Sequence, residues 1–458
     1  MNNKKLTYFI ETFGCQMNER DSQTIGGLFQ EKGFSLAQNA GESDVIVMNT
    51  CAVRQSAEEK VWSRLGKLAA ESRGGKLPVI VLAGCMAQLP QTIERIKKRV
   101  PYVRVAVGPG HIDKIPQLVS QAVHDPSQKL LTAVSPGRAE AHRTGSTQML
   151  PEALPRVKVS GVSAYVTIMY GCDNFCTYCI VPFVRGPQVS REPRFIVKEV
   201  QELVSQGFTE ITLLGQNVNA YGLDPGNGYG FAQLLEDLDG IPGICRIRYF
   251  TSHPRDFTKT MVDSIRDSKH VCEHFHLPLQ SGSNRILKLM HRGYTREEYR
   301  GLVSYIRSQI PGASVTTDII VGFPGETDED FQDTIGLVKD LRFDGAFTFI
   351  FSPRSGTAAA KMGNQVSRKD KSRRLQELVR VQNEITKDIN MSLVGTIQET
   401  LIEEPDLKNP EHVRGRTRTN KLVVCTSKGP KPGDVVKVRI DEAGTWYLKG
   451  PMWKPNSD

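Results

Sequence analysis

Cysteine is scarce in this chain: 9 of 458 residues, and an odd number. That is too sparse for a disulfide framework and excludes a small secreted scaffold. No run approaches the roughly 18 apolar residues of a membrane span. The apolar stretch at 6–10 is interrupted by Glu11, so no signal peptide is expected either. Apolar content is not low: 39% hydrophobic against 24% charged residues excludes wholesale disorder. Charge of one sign is in only mild excess, 59 Lys and Arg against 50 Asp and Glu, net +9. That balance suits a polyanionic partner without demonstrating one. A cytoplasmic protein with no membrane attachment is expected. In that reducing compartment cysteines serve more often as metal ligands or catalytic groups than as bridges.

The length is sufficient for about three domains. The first 120 residues alternate strand and helix, with strands at 7–12, 44–49 and 78–83 and helices at 19–31 and 57–71. Continuous apolar strands such as Val45, Ile46, Val47, Met48 indicate a parallel sheet covered on both faces. Pro126, Pro136, Pro151 and Pro155 then mark a linker or draped segment. A second series places strands at 164–169, 210–214, 246–250, 274–279, 315–321 and 346–351, with helices between, for example at 197–205 and 331–341. Six such units suggest a partial (β/α)6 barrel whose active site lies at the C-terminal strand ends. A basic helix at 367–383 follows. Short alternating strands at 396–402, 421–426, 435–440 and 445–448 then form a small antiparallel β barrel. The expected fold class is α/β, with domains at 4–122, 158–389 and 390–454 and a linker at 123–157.

Six cysteines fall into two sets of three. Cys172, Cys176 and Cys179 form C-x-x-x-C-x-x-C immediately after the first strand of the second series. Three thiolates on a short loop hold three irons of a four-iron cluster and leave the fourth open. Structural zinc needs four ligands, and no fourth Cys or His lies nearby. The same spacing would also fit one face of a helix, but Gly171 and Asn174 favour a loop. Cys15, Cys51 and Cys85 are distant in sequence, yet each ends an expected strand (Phe13-Gly14-Cys15, Asn49-Thr50-Cys51, Ala83-Gly84-Cys85). In an open parallel sheet those ends face one crevice, which predicts a second cluster site with an open iron. Cys245, Cys272 and Cys425 lie beside or within apolar strands and are read as packing.

C-x-x-x-C-x-x-C opening a barrel resembles the radical S-adenosylmethionine enzymes. Three earlier cysteines and a C-terminal β domain similar to the TRAM RNA-binding module narrow the resemblance to the methylthiotransferases. It covers nearly the whole chain, through Leu214-Gly215-Gln216-Asn217-Val218, Leu277-Pro278-Leu279-Gln280-Ser281-Gly282-Ser283, Asp318-Ile319-Ile320-Val321-Gly322-Phe323-Pro324-Gly325-Glu326-Thr327 and Ser352-Pro353-Arg354-Ser355-Gly356-Thr357. Thr251-Ser252-His253-Pro254 looks most like the branch that modifies isopentenyl-adenosine in tRNA. The resemblance implies a transferase that converts C–H to C–SCH3 at adenosine 37. Its cofactors would be two 4Fe-4S clusters and two S-adenosylmethionine molecules per turnover. The cluster at Cys172, Cys176 and Cys179 would cleave S-adenosylmethionine to a 5′-deoxyadenosyl radical, and the one at Cys15, Cys51 and Cys85 would carry the sulfur. Implied partners are the tRNA anticodon stem-loop, a reductant such as flavodoxin or ferredoxin and a sulfur or cluster donor, acting on a monomer.

Tyr178, Gln216, Gln280 and Ser281 are candidate S-adenosylmethionine contacts, being beside the cluster motif or at strand ends. The glycines at 322 and 325 also suit a strand-ending turn that needs no ligand. His274 and His276 share a strand face but lack a third ligand, so packing is the expectation; His253 is a substrate-recognition candidate. Arg414, Arg416, Arg418 and Lys421 form a local basic stretch read as an RNA surface, which the helix bearing Arg368, Lys369, Lys371, Arg373 and Arg374 would extend. Alternatives are methylthiolation of threonylcarbamoyl-adenosine or of a ribosomal-protein aspartate, and, in another class, an RNA-binding electron-transfer protein. An acidic C-terminal surface would favour the aspartate substrate, and two open irons argue against mere electron transfer.

Overall fold

The computed structural model describes residues 5–53, 55–71, 77–125, 127–135, 151–152, 154–157, 161–224, 226, 228–407 and 409–454. It divides into two compact units, the described residues of 1–160, 169–173 and 179–191 in one and those of 161–168, 174–178 and 192–458 in the other. The middle of the expected linker, 136–150, lies outside the described residues.

The first unit is built on a parallel sheet of β1 (Thr7–Phe13), β2 (Ser35–Leu36), β3 (Val45–Thr50), β4 (Val79–Gly84), β5 (Val103–Val107) and β6 (Leu131–Ala133). Their order is β2-β1-β3-β4-β5-β6. β3 is buried at every position. Its odd residues Val45 and Val47 pack with Tyr8, Ile25 and Phe29, and its even residues Ile46 and Met48 with Val61, Leu65 and Leu68. The period-two alternation thus feeds two cores, one under helix α1 (Gln16–Glu31) and one under α2 (Gln55–Glu71). Two further helices, α3 (Pro90–Arg99) and α4 (Ile115–His124), complete the covering. Two stretches of the expected linker belong to regular elements: α4 extends to His124 and 131–133 is an edge strand. Past it the chain drapes over α1, where the Val157 N–H donates to the Gln23 carbonyl. A short antiparallel ribbon of β8 (Met169–Tyr170) and β9 (Val189–Ser190) also belongs to this unit.

The second unit contains the six strands of the barrel series: β7 (Ser163–Thr167), β10 (Glu210–Leu214), β11 (Arg246–Tyr249), β12 (His274–His276), β13 (Ser314–Val321) and β14 (Gly345–Ile350). They form two parallel three-stranded sheets, β11-β10-β7 and β12-β13-β14, linked by a bridge between Ile247 and Val271. In β13 the residues Val315, Thr317, Ile319 and Val321 are buried, while Thr316, Asp318 and Ile320 on the other face stay partly open. A single long helix, Arg368–Met391, leads to the C-terminal strands and runs a full two turns beyond its expected end.

Those strands are β15 (Ile397–Pro405), β16 (Val413–Thr417), β17 (Leu422–Cys425), β18 (Val435–Arg439), β19 (Glu442–Ala443) and β20 (Leu448–Gly450), ordered β18-β15-β16-β17-β20-β19. The sheet is mixed rather than purely antiparallel, because β20 folds back from the β19 hairpin to run parallel to β17. Its core holds Ile402, Val423, Cys425, Val438, Ile440 and Leu448.

Two buried arginines of β11 clamp this sheet within the unit. Arg246 donates to the Arg416 carbonyl (2.6 Å) and to Glu399 Oε1 (3.0 Å). Arg248 donates to the Thr417 and Arg418 carbonyls (2.8 and 3.1 Å) and to Glu210 Oε2 (2.6 Å). Arg248 and Glu210 are both buried, at 3% and 5% side-chain exposure. Arg248→Ala leaves that carboxylate without its charge partner, and such a loss costs about 3–5 kcal/mol. Chemical denaturation is expected to show it as a lowered midpoint; an unchanged midpoint would mean the clamp is not stabilising.

Candidate metal centres and cofactor site

Cys15, Cys51 and Cys85 follow β1, β3 and β4, three adjacent strands of one sheet, and the register carries their thiols to the same edge. Cys15 and Cys51 interact side chain to side chain; the charge of Cys15 is felt at Cys85, and that of Cys85 at Cys51. The Gly84 position is constrained: its φ is +88°, and a Cβ there would sit 2.5 Å from the Thr50 carbonyl oxygen. That approach lets the Cys85 N–H donate to the same oxygen (2.9 Å). Two buried asparagines fix the first turn of α1 to the sheet edge. Asn18 Nδ2 donates to Asn49 Oδ1 (3.1 Å), Asn49 Nδ2 donates to the Asn18 carbonyl (2.8 Å), and Asn18 Oδ1 lies 3.4 Å from Cys15 Sγ.

Arg185 completes this edge. Its Nε donates to Cys85 Sγ (3.3 Å) and its Nη2 to Asp21 (3.1 Å), in a pair that is 6% exposed on each side. The hydrogen bond with Cys51, and then the Arg185 charge, pull the Cys15 thiol below its usual range. The same bond, together with burial, pushes Cys51 up, and burial pushes Cys85 up against the pull of Arg185. One thiol therefore ionises early beside a fixed cation, the donor chemistry a thiolate-ligated iron–sulfur group requires. Among the described residues no three His, Cys, Asp or Glu side chains are set around a single ion. A four-iron cluster takes one thiolate per iron, so its ligands need not converge on one point.

The second cysteine set lies on the loop after β8. Gly171 turns into it with φ +69°, where a Cβ would meet the Pro187 carbonyl oxygen at 1.8 Å, and the Cys172 N–H donates to the Gly186 carbonyl (3.2 Å). Residues 172–176 have no helical assignment, so the spacing belongs to a loop rather than a helix face. Cys172 and Cys179 are partly exposed; Cys176 is buried and accepts a hydrogen bond from Arg292 Nη1 (3.2 Å).

The remaining cofactor candidates belong to the second unit. Tyr178 meets Phe323 edge to face at 6.5 Å. Gln216 sits just beyond β10, half-buried. Gln280 is 7% exposed, holds a left-handed φ of 69°, and its Oε1 is buried without a hydrogen-bond partner. A strained, buried amide with an orphaned oxygen fits a site that a polar ligand completes. His253 gives a second orphan, its Nε2. Its Nδ1 accepts from the Arg255 N–H (3.3 Å), and its own backbone N–H donates to Asn217 and Asn219. Burial, then the nearby Arg292 and Arg255, lower it to about 2, so it stays neutral. Ser281 is engaged locally: its Oγ accepts from the Ser283 N–H (3.2 Å) and lies 3.4 Å from Thr334 Oγ1. At the turn after β13, the Gly322 N–H donates to Glu326 Oε1 (2.9 Å) and Glu326 pairs with buried Arg374 (2.7 Å). That turn is built from the protein's own groups.

On the more open strand face, His276 Nε2 lies 3.4 Å from Asp318 Oδ1. The His276 ring meets that of Phe347 at 5.8 Å, and Phe347 is 59% exposed. His274 is buried, bonded to Thr316 Oγ1 and lowered by burial. The four C-terminal cations are all engaged within their unit. Arg418 holds Glu273 (2.6 Å), Lys421 holds Asp344 (2.7 Å), Arg414 holds Glu404 (2.7 Å), and Arg416 is 3.6 Å from Glu403. Cys272 and Cys425 are buried.

Family comparisons agree with this layout along the chain. Residues 166–338 match the Radical SAM superfamily, 7–108 match Uncharacterized protein family UPF0004, and 391–452 match the TRAM domain. A tRNA-2-methylthio-N(6)-dimethylallyladenosine synthase from Moorella thermoacetica is 48% identical over 97% of this chain and 98% of its own length. The chain belongs to the tRNA-2-methylthio-N(6)-dimethylallyladenosine synthase family. Another synthase of the family, from Desulforamulus reducens, is 45% identical over 99% of this chain and 96% of its own. Among solved structures, TsrM from Kitasatospora setae, a radical S-adenosylmethionine methyltransferase, shares the fold at TM-score 0.55, with 14% identity, 86% of this chain and 80% of that one.

In this synthase-family chain, sequence reasoning missed Asn18, Asn49, Arg185 and Arg292. The two arginines bond to cysteines 100 and 116 residues away, and no local pattern signals such a contact.

Proposed function

We propose that this chain converts isopentenyl-adenosine at position 37 of tRNA to its 2-methylthio derivative. The observation that carries the proposal is near-full-length identity to the synthases, joined to two separate cysteine sets at strand ends. Cys172, Cys176 and Cys179 would ligate one 4Fe-4S cluster, and Cys15, Cys51 and Cys85 the other. Bound there, the clusters and S-adenosylmethionine supply the radical that breaks an unactivated aromatic C–H bond and the sulfur that replaces the hydrogen. The protein's part is to hold and shield. Tyr178 and Gln216 flank the S-adenosylmethionine site, Gln280 offers its orphaned oxygen, and Ser281 holds the turn beside it. Asn217 and Asn219 hold the His253 backbone in place, while burial and the nearby Arg292 and Arg255 keep its ring neutral.

Phe347 is the base-stacking candidate, with His276 and Asp318 beside it as polar groups. A base stacked on an aromatic ring gains about 1–3 kcal/mol. Phe347→Ala is therefore expected to raise KM for tRNA roughly tenfold or more while leaving 5′-deoxyadenosine formation without tRNA unchanged. Equal KM for both proteins would remove Phe347 from the substrate site.

No described helix is long and apolar enough to cross a membrane. The proposed setting is the cytoplasm, with the anticodon stem-loop as ligand, flavodoxin or ferredoxin as reductant, a separate sulfur or cluster donor, and a monomeric enzyme. Arg418 and Lys421, at 22% and 12% side-chain exposure, primarily anchor the C-terminal sheet. Arg416, at 40% side-chain exposure and 3.6 Å from its acid, is the better RNA contact, with Arg414 on the same strand face beside it. Binding should weaken steeply with salt. Arg414→Ala with Arg416→Ala should flatten that slope, whereas Lys421→Ala should lower the melting temperature. A salt-independent affinity would count against an electrostatic RNA grip. The decisive test is nucleoside mass spectrometry of tRNA from a strain lacking the protein. Loss of the methylthio group from isopentenyl-adenosine, restored by this gene, is expected; its persistence would refute the assignment.

A further inference from the structure

Among the described residues, buried arginine side chains are normally paired with acids: Arg185, Arg191, Arg246, Arg248 and Arg374, each less than a tenth exposed, hold Asp21, Glu152, Glu399, Glu210 and Glu326. Arg292 is the exception. Among the described residues no acid pairs with it, although it is 4% exposed. Its Nη1 donates to Cys176 Sγ (3.2 Å) and approaches the Tyr178 hydroxyl (3.4 Å). Its Nη2 donates to the Pro278 carbonyl (2.7 Å) and its Nε to the Tyr294 hydroxyl (3.1 Å). The guanidinium also lies 5.4 Å from the Tyr294 ring centre. The residue before it, His291, takes a left-handed φ of 57°. His253, the nearest other titratable ring against Tyr294, is neutral.

A buried guanidinium without an anion is strongly unfavourable, and neutral phenols and a carbonyl relieve only part of that. Cys176 is the one partner able to carry negative charge while ligating iron. We propose that Arg292 is a positioning residue for the cluster held by Cys172, Cys176 and Cys179. It fixes the Cys176 thiolate by a charge-assisted hydrogen bond and raises the reduction potential of that cluster. The inference rests on the reading of Cys176 as an iron ligand. The physical reason is direct: reduction adds one negative charge to the cluster, and a fixed cation bonded to a ligating sulfur stabilises the reduced state more than the oxidised one. The same contact makes the electron easier for a physiological reductant to deliver.

The test uses the full chain carrying Cys15→Ala, Cys51→Ala and Cys85→Ala, reconstituted with iron and sulfide so that one cluster titrates. Its midpoint is followed by electron paramagnetic resonance in redox titration. Adding Arg292→Gln is expected to lower the midpoint, shifting the reduced-to-oxidised ratio at fixed potential at least tenfold, about 59 mV for one electron. Arg292→Lys, which keeps the charge, should stay within about threefold of the parent, roughly half that shift on the same scale. An unshifted midpoint in Arg292→Gln with iron retained would overturn the proposal. So would a tenfold shift in Arg292→Lys, which decides the matter even if the Gln variant does not fold. A parent chain that binds no iron would instead remove the ligand reading of Cys176 itself.

Discussion

Replacing any one of Cys172, Cys176 or Cys179 by Ala should abolish both 5′-deoxyadenosine production and methylthio transfer. Iron should fall from about eight to about four per reconstituted chain, one cluster of two. The size of the effect follows from the role. Without the open iron of that cluster, S-adenosylmethionine would lose the site at which one electron cleaves its sulfonium, and the open iron of the other cluster would be committed to the sulfur. No acid–base group can substitute, because the hydrogen to be removed is an unactivated aromatic one, and His253, lowered to about 2, is too weak a base to take it. The assay is anaerobic incubation with S-adenosylmethionine and dithionite, read by chromatography. Deoxyadenosine at wild-type rates from the Cys176→Ala protein would end the radical-enzyme reading.

The complementary expectation concerns Cys15, Cys51 and Cys85. Converting all three to Ala should again leave about four irons, but the remaining cluster should still cleave S-adenosylmethionine. Deoxyadenosine should therefore appear while no methylthio-adenosine forms. This separation of two activities is the sharpest prediction of a two-site enzyme. It distinguishes one cluster that makes the radical from another that carries the sulfur. Full methylthio transfer by the triple variant would mean that the converging thiols pack rather than ligate. The three substitutions remove one hydrogen bond from Arg185, whose pairing with Asp21 remains, so the sheet itself should survive.

How much of this was legible depended on whether the signal was local. The strands of the first sheet are legible because β3 opens on four successive apolar residues, Val45 to Met48, and β4 is apolar throughout. β5 escaped notice because Arg104 interrupts a five-residue strand pressed between Pro101 and Pro109. The convergence of Cys15, Cys51 and Cys85 could be read, since parallel topology alone aligns strand ends. β16 reads in sequence as a charge run. Its Gly415 and Thr417 face inward while Arg414 and Arg416 stay more open, a strand alternation disguised by arginine. Arg418 and Lys421 resembled a nucleic-acid surface because their acids, Glu273 and Asp344, lie far off in sequence. Long-range pairing of charge is what a single sequence hides best. The cysteine sets were visible, but the arginines that bond to them were not.

The clamp of Arg246 and Arg248 on the backbone of β15 and β16 has a mechanical consequence. The C-terminal sheet is not a hand on a tether: it is bolted to a barrel strand, and the helix before it ends with Asn390 bonded to the Gly444 and Thr445 carbonyls (2.9 and 3.0 Å). A tethered module would raise local substrate concentration and leave the choice of nucleotide to the catalytic face. A bolted one acts as a gauge of fixed length. RNA gripped by the sheet can present only the base lying one set distance away, so selection among the adenosines of a loop becomes a matter of reach before it becomes one of chemistry.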